Sequence, residues 1–509
     1  MNFIIIMLII LTFVSRIIGM AREVAIAYFY GATNVSDAYF MSISIPTIII
    51  TFVIVSLATS YIPMYQKLED DNDAKNIFTN KVMGITLVIC LLILIVTLMF
   101  TSQIVSLFAV GFDSETVKIT VMLTRITLFA VFFMGLNHIL HSFMQVKEKV
   151  LLASLSGLPF NLIATLFIII SSYTSLYMLA IGTVIAIGIQ CLYLLVLAKR
   201  QSFKLRPHFD MQDGNIRNLI TLTLPLVLTN TVDQIGLIVD KNLASTFGSG
   251  AISSLTYATR TTTAISAVFV TSILIVTFPK IAKQAAEKDM TKMKNSLAES
   301  IVTMSLFIIP VIAATAMFAH PVILLLFGRG AFDSYAVAMT SSLLFFSVFF
   351  LFGSGIFQLV ARVFYALGDS KTPMIVAMVK VIVNIILSFI LIPFMDIAGL
   401  ALATSVSSFV GMLLLLFLLR RKIGSLRLRN TLISLNKLIG ASITMAFGSY
   451  FFYQFLISFN AMIALLVTAI IGIGIYTLLV LVLRIREVEI LIAFILKRIL
   501  AFIHKSKYK

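Results

Sequence analysis

From Phe3 onward the chain alternates long apolar runs with short polar or turn-forming breaks. A helical run of ~20 predominantly apolar residues spans the hydrocarbon core of a bilayer. Breaking the chain at its polar stretches gives about fourteen such helices. They cover 3–30, 37–66, 79–107, 119–145, 150–171, 175–198, 216–246, 250–279, 298–327, 334–361, 373–393, 397–419, 431–457 and 459–483. The first run lacks a basic leading segment and a small-residue cleavage site, so it reads as a retained span.

The pattern also repeats. "YFYGATNVSDAYF…YIPMYQK" (28–67) lies against "STFGSGAISSLTYA…TFPKIAK" (245–283), matching Gly31 to Gly248 and Pro63 to Pro279. "GFDSE" parallels "GAFDS", and "FMQVKEK" parallels "FYALGDSK". This ordering predicts an all-α polytopic membrane protein with two pseudo-symmetric six-helix lobes, 1–200 and 201–425. Region 426–509 would add two last helices and a basic tail. An even helix number per repeat gives parallel repeats, an arrangement in which transporters hold substrate between the halves.

Composition agrees with the pattern. The chain has 509 residues, 60% hydrophobic and 12% charged, with a mean hydropathy of +1.09. Soluble domains carry about 25% charged residues. Two cysteines, Cys90 and Cys191, both within apolar runs, exclude a disulfide framework. The net charge of +17 is confined largely to alternate loops, such as Lys280, Lys283, Lys288, Lys292 and Lys294. The intervening loops are nearly free of Lys and Arg, with Lys118 and Arg329 the exceptions. The positive-inside rule then places both termini in the cytoplasm. The basic excess suits anionic lipid at the inner surface, not nucleic acid.

Charges inside the spans are the candidate chemistry, because such residues usually face a watery cavity on a substrate path. They are Arg16, Arg22, Glu23, Arg125, Asp233, Asp240, Lys241, Arg260 and Lys380. On the first helix, Ser15, Arg16, Gly19, Arg22 and Glu23 fall in one stripe about 120° wide. Gly19 would leave room between the two guanidinium groups. Arg260 brings a third guanidinium from the second half. Guanidinium forks suit phosphate oxygens, so the three arginines point to an anion. The alternative is that Arg16 and Arg22 pair with Glu23 and Asp37 as structural ion pairs. Arg125 sits in the outer third of its span, where it can snorkel.

Enzymatic readings find little support. "HILH" (His138, His141) has no carboxylate or cysteine nearby in sequence and reads as polar packing, not a metal site. No Walker-type glycine loop is present, which argues against direct use of ATP.

Two stretches carry a resemblance. "SRIIGMAREVAIAYFYGATNVSDAYFMSISIPT" resembles the N-terminal signature of the MurJ (MviN) lipid II flippases. "ARVFYALGDSKTPMIVAMVKVIVNIILSFILIPFMDIAGLALATS" resembles their signature across spans ten to twelve. The resemblance implies the multidrug/oligosaccharidyl-lipid/polysaccharide exporter superfamily, with fourteen helices and a hydrophobic groove formed by the last two. It implies Arg16, Arg22, Arg260 and Asp37, with Glu23 beside them, as substrate-binding residues. It also implies a candidate sodium site at Asp240, Asn384, Ser388, Leu400 and Thr404. The sequence departs from the family pattern at three places. Ser388 stands where a second carboxylate is expected, "IPTIIIT" lacks the arginine of the second helix, and "TRTTT" carries Thr259 and Thr263 in place of acids.

The expected activity is translocation of lipid II, an undecaprenyl-pyrophosphate-linked peptidoglycan precursor, across a bacterial plasma membrane. Flipping of another polyprenyl-linked glycan and cation-coupled drug export are the alternatives, the latter disfavoured by arginines that would repel cationic drugs. No cofactor beyond a candidate sodium ion, no nucleic acid and no obligate protein partner is implied. Lys380 lies four residues before Asn384 and so shares its helix face. It is expected to act as a tethered cation for Asp240 in place of sodium; the alternative is that it snorkels to the inner surface.

Overall fold

The computed structural model describes residues 3–68, 71–206, 213–426, 428–458 and 460–484; side chains of residues 3–14, 228, 229 and 233 lie outside the description. The side chain of Asp233 and the basic tail beyond 484 are therefore not placed. Every regular element described is helical.

The helices are α1 (Phe3–Tyr30), α2 (Asn34–Lys67), α3 (Asn72–Met99), α4 (Ser114–Thr127 and Ala130–Val146), α5 (Val150–Tyr173), α6 (Tyr177–Arg200) and α7 (Gly214–Ser245). They continue as α8 (Ala251–Ala286), α9 (Met290–Met317), α10 (Ser334–Ala366), α11 (Lys371–Met395), α12 (Ala398–Ile423), α13 (Arg429–Leu456) and α14 (Ala461–Val482). Among the described residues twelve of these are long and apolar enough to cross a membrane, and α4, bent by 50°, makes thirteen. They match the expected second to fourteenth spans one for one, and α1 takes the place of the first.

The repeat is visible in local structure. α2 carries a π-turn at Thr51–Val55 followed by Pro63, and α8 carries one at Ala267–Thr271 followed by Pro279. A π-turn re-aims the helix, and such turns concentrate at functional sites. Asp71 caps α3 by accepting from the Asp73 and Ala74 amides, and Asp289 caps α9 by accepting from that of Lys292. Asp113 and Asp333 cap the helices that begin at Ser114 and Ser334 in the same way. Each cap satisfies backbone donors that the first turn leaves open.

Packing divides the chain into two compact units: 1–260 with 327–340, and 261–326 with 341–509. This division does not follow the repeat, because α7 and the first ten residues of α8 belong with the N-terminal helices. In the first unit α1 lies on α5, α5 on α6, α2 on the first limb of α4, and α7 on the latter part of α2. Its core gathers Tyr61, Tyr65, Phe78, Phe143 and Leu194. In the second unit α12 packs on α11 and α10, α9 on α13, and α13 on α14. A cluster including Met304, Leu359, Phe364 and Leu415 fills its centre.

Gly31 and Gly250 hold the loops of the first unit together. Both have positive φ (62° and 84°), and a Cβ on either would lie 2.3 Å from a backbone oxygen, of Ala331 and Ala32 respectively. Only glycine combines that backbone conformation with so close an approach.

Candidate functional site

The first unit contains an open cavity of about 390 Å³. Its charged lining comes from three helices: Arg22 and Glu23 on α1, Lys241 on α7, and Arg260 on α8. Ser44 and Thr47 on α2, His138 and His141 on α4 and Gln190 on α6 add polar groups, and apolar side chains such as Ile26, Phe40, Ile43 and Met134 make up much of the rest.

The first helix is placed by α5. Gly19 faces Asn161, whose amide nitrogen would be 3.5 Å from a Cβ on that glycine. The room that Gly19 leaves is thus filled by α5 and does not open the cavity, a correction to the sequence reading. One turn on, the Arg22 guanidinium lies 5.1 Å from the centre of the Phe160 ring, a cation–π contact. Its Nη2 meets Glu23 Oε1 at 2.5 Å, and Arg260 Nε approaches the same oxygen at 3.7 Å. Glu23 is 3% exposed, and its Oε2 has no hydrogen-bond partner among the described residues. One carboxylate therefore serves two guanidinium groups.

Arg260 owes its position to Asp37. The Asp37 carboxylate accepts from the Gly250 amide at 2.8 Å and the Ser253 amide at 2.7 Å, capping α8. Tyr257 Oη donates to the Gly31 carbonyl at 3.1 Å, fixing the same helix a turn before Arg260. Asp37 was expected to bind substrate; it is 1% exposed, is absent from the cavity lining and holds a helix start. Removing a cap and stranding buried donors costs about 1–3 kcal/mol. Asp37→Ala is accordingly expected to lower the thermal unfolding temperature of the detergent-solubilised protein. Thermal unfolding unchanged from the parent would refute the capping role.

Arg16 is exposed and does not line the cavity; it lies six residues, about 9 Å of helix, before Arg22. Of the three expected arginines, two converge. The structural-pair alternative also holds only in part: Arg22 pairs with Glu23, and Asp37 has backbone partners.

The histidines depart from the packing expectation, since both line the cavity. His141 Nε2 is 3.3 Å from Ser156 Oγ, which accepts from Gln190 Nε2 at 3.3 Å. The described residues contain no cluster of three or more His, Cys, Asp or Glu able to hold a metal. Lys241, seen in the sequence as a charge within a span, was left out of the expected site. Its place was legible only in its being an unexplained in-span cation.

The candidate sodium residues split between units. Asp240 belongs to the first, and its Oδ1 is buried without a hydrogen-bond partner among the described residues. Asn384, Ser388, Leu400 and Thr404 meet between α11 and α12 of the second. Asn384 Nδ2 donates to Thr404 Oγ1 at 3.1 Å, which donates to the Leu400 carbonyl at 2.9 Å, while buried Ser388 Oγ has no hydrogen-bond partner among the described residues. These four residues supply no carboxylate, and two of their oxygens already serve one another. By themselves they do not fit a sodium ion, which takes several hard, free oxygen ligands. Lys380, on the same helix, holds its ammonium 5.4 Å from the Phe357 ring centre, with its stem along Gly411.

Membrane-crossing helices broken by proline and π-turns, with a cavity in the first unit whose charged lining is mostly cationic, are the architecture of a secondary transporter. The family described as lipid II flippase MurJ matches residues 26–479, and the chain belongs to it. That membership places it among multi-pass proteins of the bacterial inner membrane. A probable lipid II flippase MurJ of Thermotoga maritima is 26% identical over 480 residues, covering 94% of this chain and 96% of that one. One of Rickettsia prowazekii is 26% identical over 413 residues, covering 80% and 81%. The solved structure titled "Lipid II flippase MurJ, inward closed conformation" is 27% identical with a TM-score of 0.80, covering 93% of this chain and 98% of that chain. An inward-facing multidrug resistance MATE transporter of the MOP superfamily, 16% identical with a TM-score of 0.67, shares the fold.

Proposed function

We propose that this protein moves lipid II from the inner to the outer leaflet by alternating access, with the cationic cavity of the first unit holding its pyrophosphate. The carrying observation is the charge of that cavity. Among the described residues, Arg22, Lys241 and Arg260 face it against a single acid, Glu23, a formal balance of +2. Bare passage of a dianion through hydrocarbon is prohibitive, and guanidinium groups replace hydration with bidentate hydrogen bonds. Drug export fits less well, because a net positive lining repels organic cations.

Complementation tests the reading. Expressed in a bacterium depleted of its own lipid II flippase, the chain is expected to restore growth and outer-leaflet lipid II. Failure to do so at normal membrane abundance would remove lipid II as substrate and leave another polyprenyl-linked glycan.

Both termini are proposed to be cytoplasmic, on the distribution of Lys and Arg between loops. Cys90 and Cys191 are buried and free, so single introduced cysteines report cleanly. In whole cells a membrane-impermeant maleimide should label Thr174→Cys, in the α5–α6 loop, and spare Glu287→Cys, in the α8–α9 loop. The reverse pattern would invert the topology.

A further inference from the structure

We propose that the second unit carries a carboxylate-binding site on α10 and α11, with Lys380 as its cation, that takes the peptide part of the translocated precursor. The repeat shows which face of α10 bears it. α4 and α10 keep one offset of 220 residues throughout, in their caps (Asp113, Asp333), the starts of their second limbs (Ala130, Phe350) and their ends (Val146, Ala366). On α4, the face formed by Met134, Asn137, His138 and His141 lines the cavity of the first unit. The matching residues of α10 are Ser354, Phe357, Gln358 and Ala361. Gln358 is exposed, and its Nε2 donates to Ser354 Oγ at 3.2 Å. An exposed carboxamide in mid-span is unfavourable against hydrocarbon, so this face meets a watery space as its counterpart does.

Lys380 reaches the same face from α11. Its ammonium lies 5.4 Å from the Phe357 ring centre. Its stem passes over Gly411 of α12, where a Cβ would stand 3.4 Å from the lysine Cγ. The side chain is therefore seated among three helices and does not run along the outside of one toward the inner surface. Among the described residues no carboxylate comes within ion-pair distance of it. A ring face compensates an ammonium only in part, which leaves Lys380 able to take an anion, and Gln358 keeps a second N–H for the same ligand. One ammonium beside a carboxamide and an aromatic ring suits a carboxylate on a small apolar residue, whereas phosphate is best met by guanidinium forks. A peptidoglycan precursor carries such carboxylates on its peptide. The inference rests on the lipid II reading above and deepens it by assigning a part of the substrate other than the pyrophosphate.

The test uses the full-length protein in nanodiscs, with binding read by native mass spectrometry. The probes are lipid II, the same lipid without its peptide, and lipid II with its peptide carboxylates amidated. The parent is expected to bind lipid II about tenfold more tightly than either of the other two, the effect of one charged hydrogen bond. Lys380→Met should bind all three alike, at the parent's level for the peptide-free lipid. Lys380→Arg should keep the preference. Undecaprenyl pyrophosphate should bind Lys380→Met as it binds the parent, which separates loss of this site from general damage. The amidated lipid, which needs no variant, decides the matter if the methionine variant does not fold.

A parent that binds the intact and peptide-free lipids equally would overturn the peptide site and leave the anion cavity standing. So would a preference that amidation leaves intact, or one that Lys380→Met retains in full. A parent that binds none of these lipids would overturn both readings.

Discussion

Arg22→Ala and Arg260→Ala are each expected to reduce lipid II translocation about a hundredfold, the effect of losing roughly 3 kcal/mol of charged hydrogen bonding to a desolvated anion. Lysine at either position should restore only part of the activity, since it keeps the charge and loses the planar fork. Arg22→Ala also leaves Glu23 buried with Arg260 at 3.7 Å as its remaining partner, so some loss of stability is expected. The double variant Arg22→Ala/Glu23→Ala separates the two effects. It should recover thermal stability, because the stranded carboxylate is gone, and should remain inactive. Recovery of transport together with stability would mean that Arg22 serves only to neutralise Glu23.

The second large effect concerns the driving force. Each cycle carries the two negative charges of the pyrophosphate outward, whatever the cavity contributes on the way, because the cavity's own charges return to their starting place. One charge crossing the full membrane potential is worth about 2.3 kcal/mol per 100 mV. A dianion therefore gains roughly 4–5 kcal/mol, enough for an accumulation ratio on the order of a thousandfold. Collapsing the potential with valinomycin and balanced potassium should abolish outward accumulation in inside-negative vesicles. Replacing sodium by choline should leave it unchanged, in keeping with the carboxylate-free group at Asn384, Ser388, Leu400 and Thr404. Lys380→Met is expected to impair transport or to create a sodium requirement that the parent lacks. Sodium-stimulated transport by the parent would restore an ordinary cation site and remove this account of coupling.

The membrane spans were legible because their signal is local: ~20 apolar residues in a row suffice to identify a span. Repeat features such as Pro63 and Pro279 were legible for the same reason, and the structure adds matched π-turns and aspartate caps around them. Arg22 and Arg260 were legible because a charge within a span demands an explanation. What the sequence hid were partners far apart along the chain. Asp37 reads as one more acid beside arginines, and its backbone donors lie more than two hundred residues away, at Gly250 and Ser253. Arg16 shares a helical stripe with Arg22, but a shared stripe does not decide where along α1 the cavity begins. Lys241 sits on a 32-residue helix whose cavity-facing side is set by α2 and not by its own periodicity. His138 and His141 looked like packing because their neighbours in the cavity come from other helices.

The most direct test of the central claim is leaflet exchange of fluorescent lipid II in liposomes containing the purified protein, read by a quencher confined to one side. Liposomes with the parent protein should bring lipid II from the shielded leaflet to the quencher. Liposomes with equal amounts of folded Arg260→Ala should behave like protein-free ones. Exchange by Arg260→Ala at the parent's rate, or none with the parent under an imposed potential, would contradict the account.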